Sequence, residues 1–281
     1  METIISKIGK DKLIKLYIHL RDELIEFASK SGVSDLEEYF KPDIVRKQNY
    51  LEILASSLQN SGQMRNSIKF NDSEFNHNKI QECLYDFDAK EAKKHYASGD
   101  EIFKELTDKN IETMRASSSE DNQEPKKKWK NYCKGLYQGL VYLTNEKNNG
   151  TEQIKRLVAS GYNLPDEWER TKYEIQKAIH GLGPALVCDW LKECGCEWLA
   201  KPDTHIIEVL KSLTNEKGIS EKKVVNFMAD WSKFIRDEKI DDKCSPYKLD
   251  KIIWLLCTGE FYLDRPKYGR DNIIDYIGKS L

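Results

Sequence analysis

Apolar residues recur at intervals of three and four along most of this chain, which is the spacing of amphipathic α-helices. The first clear case is LIKLYIHLRDELIEFA, Leu13–Ala28, and Gly32 is placed to end that helix. Another helix is predicted to open at Pro42 and run through NYLEILASSLQ, and TEQIKRLVASG is predicted to be a helix capped by Thr151. The polar segment ASSSEDNQEP, Ala116–Pro125, is typical of a surface loop. Neither strand alternation nor an internal repeat is present, so the sequence predicts an all-α fold.

The composition is that of a globular protein. The chain has 281 residues, 39% hydrophobic and 33% charged, which suits one large domain or two small ones. No segment approaches the roughly 20 apolar residues of a membrane span, and METIISKIGKDKLIK lacks the apolar stretch of a secretory signal. Seven cysteines, an odd number, are typical of reduced thiols in core or loop positions. We therefore expect a cytoplasmic protein with no membrane partner.

The charge limits how this chain could bind nucleic acid. The formal net charge is −2, so any DNA contact must rest on local patches rather than on a global basic field. In KKKWKNYCK, the side chains of Lys126, Lys130 and Lys134 share one helix face, which fits either a solvated helix start or a phosphate-binding patch. A second basic stretch, RPKYGR at Arg265–Arg270, fits a patch or an exposed turn.

The segment HGLGPALVCDWL, which begins at His180, has the features of a tight connection between two helices. Gly181 and Gly183 can adopt backbone angles that other residues avoid, and Pro184 suits the first turn of a following helix. The free N–H groups at such a helix start can bind a phosphate. The pattern also fits an ordinary helix connection. It is not a dinucleotide-binding fingerprint, because no strand precedes it and the third glycine is absent.

A single acidic residue, Asp203, is predicted at the start of the next helix, THIIEVLKSL. It follows Pro202, which favours an extended conformation for Lys201. The helix dipole and free N–H groups stabilise a carboxylate at that position. An ordinary N-cap, worth about 1 kcal/mol, would explain the same residue without any chemistry.

Together, the hairpin, helix, short loop and Asp-Thr-His resemble the helix-hairpin-helix DNA glycosylases of the endonuclease III type. The residues that carry the resemblance are IHGLG, Ile179–Gly183, and PDTH, Pro202–His205. The similarity is good over residues 172–213, moderate at ILASSLQNSGQMRN and at KIIWLLCTGEFY, and absent over residues 1–40. It implies two helical lobes with the helix-hairpin-helix and a catalytic Asp203 at the cleft between them. One lobe would comprise residues 1–45 and 203–281, and the other residues 46–202, ending in the helix-hairpin-helix at residues 172–191.

The resemblance also implies a role for individual residues. Asp203 would be the catalytic carboxylate, whereas His205 would be mainly structural. DNA contacts would come from the hairpin and from one upstream residue that fills the gap left by a flipped base: His180, Gly181, Leu182, Gly183, Ala185 and Gln59. Backbone carbonyls of the hairpin would hold a structural K⁺ or Na⁺: Lys177, Ile179 and Leu182.

Two departures from the family define the expected chemistry. Members that also cut the DNA strand carry a lysine where this chain has Ala185, and alanine cannot form a Schiff base. The iron–sulfur cluster of the type member needs four closely spaced cysteines, whereas only Cys244 and Cys257 follow Asp203. We therefore expect an enzyme without lyase activity, without an iron–sulfur cluster and with no required cofactor.

The sequence thus predicts a monomeric, monofunctional DNA glycosylase that works on double-stranded DNA at the nucleoid. It would flip out a damaged or modified base, hydrolyse the N-glycosidic bond and leave an abasic site. One alternative is a glycosylase that removes hypermodified phage bases in defence. Another is a non-catalytic helix-hairpin-helix DNA-binding protein or a structural helical protein. Asp203 favours the enzyme, and the net charge of −2 mildly favours the non-catalytic alternatives.

Overall fold

The computed structural model describes the chain except for residues 1–4, 6–7, 34, 110, 112–122, 147–148, 162–164, 217, 260–269 and 281. The described residues form fifteen α-helices and two short 3₁₀-helices, Leu36–Phe40 and Ser61–Gln63, with no β-strand among them. The α-helices in chain order are α1 Lys10–Lys30, α2 Asp43–Lys47, α3 Tyr50–Leu58, α4 Arg65–Ile68, α5 Glu74–Cys83, α6 Ala89–His95, α7 Gly99–Asp108, α8 Gln123–Thr144, α9 Gly150–Ser160, α10 Pro165–Ala178, α11 Pro184–Glu193, α12 Thr204–Thr214, α13 Glu221–Asp237, α14 Pro246–Thr258 and α15 Arg270–Ser280. The prediction of an all-α protein is confirmed for this part of the chain.

The chain divides into two compact units. Unit 1 comprises Met1–Pro42 together with Cys196–Leu281, and unit 2 comprises Asp43–Gly195. Unit 2 is therefore an insertion in the sequence of unit 1. Among the helices described, none combines the length and the apolar character that crossing a membrane requires.

The central helix of unit 1 is α14, which packs against α1, α12, α13 and α15. Leu13 and Leu16 of α1 are fully buried in the core of this unit. A polar clip joins distant segments, because the Tyr17 hydroxyl and the Lys248 ammonium both donate to the Asp241 carboxylate. Burial acts to raise the pKa of Asp241, but these hydrogen bonds outweigh it and the pKa lies below its ordinary value.

The central helix of unit 2 is α8, which packs against α3, α4, α6, α7, α9 and α10. Two glycines on one face of α8 allow close approach of its neighbours. A Cβ added at Gly139 would lie 2.1 Å from Cδ2 of Leu54, and one at Gly135 would lie 2.7 Å from the backbone oxygen of His180. The hairpin that begins at His180 therefore rests directly on the backbone of α8.

One predicted helix begins at Asp43 as expected but is divided in two, and another has a different cap, in each case because an asparagine caps a helix. The helix predicted from Pro42 is interrupted where Gln48 adopts a φ of 54°, and the Asn49 side chain then accepts two N–H groups of the first turn of α3. The cap of α9 is Asn149 rather than Thr151. Asparagine tolerates such turns and is among the best N-caps.

Other differences concern segments that the apolar pattern describes poorly. The pattern does not predict the helices α4, α5 and α15, and α5 has only three buried residues. Most of the predicted loop Ala116–Pro125 lies outside the described residues, and its last three residues already belong to α8. The basic stretch Arg265–Arg270 also lies outside them, apart from its last residue.

Candidate functional site

The predicted helix-hairpin-helix is formed by α10, a turn at residues 179–183 and α11. The last residue of α10 is Ala178, and the turn continues with an Ile179 N–H bond to the Ile175 carbonyl. Gly181 has a φ of 90°, which lies in the region that glycine adopts without steric cost. Gly183 is the N-cap of α11, and its carbonyl accepts two N–H groups of the first turn. The local backbone is therefore the one that the two glycines predict.

The hairpin is held against the rest of unit 2 by buried side chains, a hydrogen bond and a close backbone contact. Ile179 and Leu182 are 1% and 4% exposed, so their side chains anchor the turn in the core. The His180 N–H donates to Oε1 of Gln138 on α8 at 2.6 Å. A Cβ added at Gly181 would lie 3.3 Å from the Ser61 hydroxyl, so the turn also rests on the start of the 3₁₀-helix Ser61–Gln63. These contacts fix the direction in which the outer edge of the turn points.

The outer edge of the turn presents unsatisfied backbone donors. Among the described residues, none accepts a hydrogen bond from the N–H groups of Gly181, Gly183 and Ala185. Gly183 is exposed, and a Cβ added there would meet nothing within 4 Å. Free N–H groups at the positive end of a helix dipole, next to open space, are suited to bind an anion such as phosphate.

The carbonyl groups predicted to hold a monovalent cation fit that role in part. The Ile179 carbonyl accepts the Leu182 N–H at a long 3.4 Å, and an oxygen atom with two lone pairs retains capacity for a cation. No described N–H group donates to the carbonyls of Lys177 and Leu182. Lys177 lies in the last turn of α10, where the helix dipole is negative. This donor set is therefore compatible with K⁺ or Na⁺.

His180 is an exposed side chain on the hairpin with a perturbed acidity. Partial burial of the ring lowers its pKa, and the positive charge of Lys134 on α8 lowers it further. The imidazole is therefore neutral at pH 7, and it adds a hydrogen-bonding group rather than a charge to this surface.

Asp203, in unit 1, is the N-cap of α12. Its own N–H donates to the Lys201 carbonyl at 2.8 Å, a tight turn around the buried Pro202. One carboxylate oxygen, Oδ1, accepts the N–H groups of His205 and Ile206 at 3.0 and 3.2 Å. The other oxygen, Oδ2, receives no hydrogen bond from the described residues. The cap thus orients the carboxylate and leaves one oxygen available.

Two neighbours of Asp203 reach into the core of unit 1. The Lys201 N–H donates to Oδ2 of Asp250, a buried residue of α14, at 3.3 Å. Nδ1 of His205 is buried and has no hydrogen-bond partner in the described part of the chain. The backbone just before Asp203 is therefore held in place by a hydrogen bond to α14.

Gln59 does not fit the role that the sequence suggests. The side chain is 1% exposed, and its Oε1 accepts the Phe70 N–H at 2.9 Å. A glutamine that closes a turn inside the core cannot enter a DNA duplex without breaking that contact. We therefore correct its assignment from a DNA contact to a structural hydrogen bond within unit 2. The exposed residues beside it are Asn60 and Gly62.

Most of the cysteines occupy the core, one of the two locations that the sequence predicts for them. Six of the seven are buried, Cys257 is half-buried, and all seven are free thiols. Burial raises the pKa of the Cys83 thiol to about 12 and that of Cys244 to about 12, so neither is a nucleophile at neutral pH. Within the described residues, no group of three His, Cys, Asp or Glu side chains is arranged to hold a metal ion.

Comparison with protein-family models, with characterised proteins and with solved structures gives no match for this chain. Its function must therefore be inferred from its own residues and their geometry.

Proposed function

We propose that this protein is a monofunctional DNA glycosylase that removes a damaged or modified base from double-stranded DNA. In this role the hairpin binds the DNA backbone, and Asp203 acts on the sugar that carries the flipped base. The products are the free base and an abasic site.

The observation that carries the proposal is the set of free N–H groups on the hairpin. The N–H groups of Gly181, Gly183 and Ala185 make no hydrogen bond to a described residue, and Gly183, at the start of α11, lies beside open space. Any helix start leaves such N–H groups free, but here the turn that carries them is held in place by the buried Ile179 and Leu182. Backbone donors bind phosphate oxygens without reading sequence, which suits an enzyme that must engage DNA at many positions.

Asp203 supplies the charge that the reaction needs. Breaking an N-glycosidic bond develops positive charge on the deoxyribose, as in glycoside hydrolysis. A fixed carboxylate stabilises this charge as it forms, and the same group orients the attacking water. The hydrogen bonds of the carboxylate support this role. Oδ1 accepts the two N–H groups of the helix cap, and Oδ2 is available to the substrate.

Ala185 supports the assignment of a hydrolase without lyase activity. It lies two residues after Gly183 on α11, where the strand-cutting members of the similar family carry a lysine. Its methyl group cannot form a Schiff base with the abasic sugar. A K⁺ or Na⁺ held by the carbonyls of Lys177, Ile179 and Leu182 would add positive charge for binding the DNA backbone.

The test is an abasic-site assay that compares wild type with Asp203→Asn. The protein is incubated with damaged, deaminated and phage-modified DNA, and abasic sites are converted to strand breaks by mild alkali. Asparagine is as good an N-cap as aspartate, so the variant keeps α12 and loses the charge. We expect alkali-dependent breaks with wild type and at least a hundredfold fewer, ~3 kcal/mol in the barrier, with the variant.

The matched control is Asp88→Asn, at the N-cap of α6. Its Oδ1 accepts the N–H groups of Lys90 and Glu91 at 2.9 and 3.0 Å, which is the same capping geometry as at Asp203. This variant should give as many alkali-dependent strand breaks as wild type. Breaks that appear without alkali would refute the monofunctional assignment. No breaks on any DNA, with binding retained, would favour a non-catalytic DNA-binding protein.

A further inference from the structure

One exposed face of α8 carries three regularly spaced lysines, Lys126, Lys130 and Lys134, which we call the α8 lysine strip. All three are exposed, and none has a carboxylate of a described residue within 4 Å. The nearby Glu124 pairs with Lys128 instead. The Lys130 ammonium lies over the ring of Phe103, 5.6 Å from its centre. Within the described part of the protein, the strip therefore forms no ion pair.

The spacing of the strip matches a path along a polyanion. Residues four apart on an α-helix are about 6 Å apart along the axis and lie on one face, so the strip is about 12 Å long. One DNA strand carries a phosphate about every 3.4 Å along the duplex axis, so the strip spans about three phosphates. The chain has a net charge of −2, so attraction to DNA depends on such local surfaces.

The strip adjoins the hairpin at its C-terminal end. Lys134 precedes Gly135, whose missing side chain lets α8 approach the His180 carbonyl. Gln138, one turn later, accepts the His180 N–H. The charge of Lys134 also reaches the imidazole of His180 and lowers its pKa. These three observations all lie within unit 2 and place the Lys134 end of the strip beside His180, the residue that precedes Gly181 in the turn.

We infer that the α8 lysine strip is a second phosphate-binding surface, which continues the hairpin and binds the backbone of the same DNA strand. The inference rests on the proposed function, because it takes DNA as the partner. The hairpin holds one phosphate through backbone donors, and the strip holds its neighbours through charge. The two surfaces together bind DNA without sequence preference.

The test measures how DNA binding depends on salt. A short fluorescent duplex with a stable abasic-site analogue is titrated by anisotropy at several salt concentrations. One variant replaces the three strip lysines by glutamine, and a second replaces them by arginine, which keeps the charge. The control makes the same replacement by glutamine at three other exposed lysines, none of which has a described carboxylate within 4 Å: Lys12, Lys15 and Lys222. Urea denaturation confirms that each variant is folded.

Each lost phosphate contact lowers the slope of log K against log salt by about 0.9, so the glutamine variant should lose about 2.7 in slope. The arginine variant and the control should keep the wild-type slope. An unchanged slope in the glutamine variant, or an equal loss in the control, would overturn the inference. If wild type binds this duplex and produces abasic sites in the separate abasic-site assay, while the glutamine variant keeps the wild-type slope, the inference fails and the proposed function stands. Wild type that does not bind the duplex would refute both.

Discussion

Replacing Gly135 by alanine should push the hairpin away from α8. The added Cβ would lie 2.7 Å from the backbone oxygen of His180 and 3.0 and 3.1 Å from the two Cδ atoms of Leu58. A carbon atom approaches a carbonyl oxygen to about 3.3 Å, so the two backbones must separate by about 0.6 Å. The separation also lengthens the bond from the His180 N–H to Gln138.

The net cost follows from two opposed effects. Alanine gains about 1 kcal/mol over glycine inside a helix, whereas overpacking against a backbone costs about 1–3 kcal/mol. We expect the free energy of unfolding, measured by urea denaturation, to fall by about 1 kcal/mol. The amide resonances of Gly181 and Gly183 should move, because the turn itself is displaced. The affinity of the protein for DNA should also fall, because the displaced turn no longer presents its N–H groups in the same place.

The control for this prediction is Gly139→Ala, one turn later on the same face of α8. Its added Cβ would meet Cδ2 of Leu54 at 2.1 Å, which is the end of a side chain that can change rotamer. This variant should leave the hairpin resonances unchanged. If Gly135→Ala instead stabilises the protein by about 1 kcal/mol and leaves the hairpin amides in place, the close contact between α8 and the hairpin does not exist.

Two further predictions concern charge. Lys134→Gln should raise the pKa of His180 toward its ordinary value, because a neighbouring positive charge is removed; an unchanged titration of the ring by NMR would contradict the contact. Asp241→Asn should cost about 2 kcal/mol of unfolding free energy at pH 7, because it removes a charged hydrogen-bond acceptor. The pKa of Asp241 is lowered in the folded state, so its stabilisation is complete above the unfolded pKa of about 4 and is lost as the pH falls through the folded value. Urea denaturation at a series of pH values should show the two proteins converging in acid, and a constant difference would contradict this reasoning.

Features that depend on near neighbours in the chain follow from the order of the amino acids. The apolar spacing predicts helices, and an N-cap and a helix dipole act within one turn, so the place of Asp203 at the start of α12 is a local property. The same holds for the hairpin, because the φ of 90° at Gly181 is a local requirement that glycine meets and most residues do not.

Tertiary packing determines which of these residues face solvent and which face the core. Gln59 lies in a polar segment, yet its side chain is buried and accepts a hydrogen bond from the backbone N–H of Phe70, eleven residues later. Gly135 has no local signature, and its importance comes from His180, which is far away in the sequence. The lysines of the α8 strip follow helical spacing, but their proximity to the hairpin depends on how α8 packs. Contacts between distant segments are set by the packing of whole helices, and a pattern of nearby residues does not contain that information.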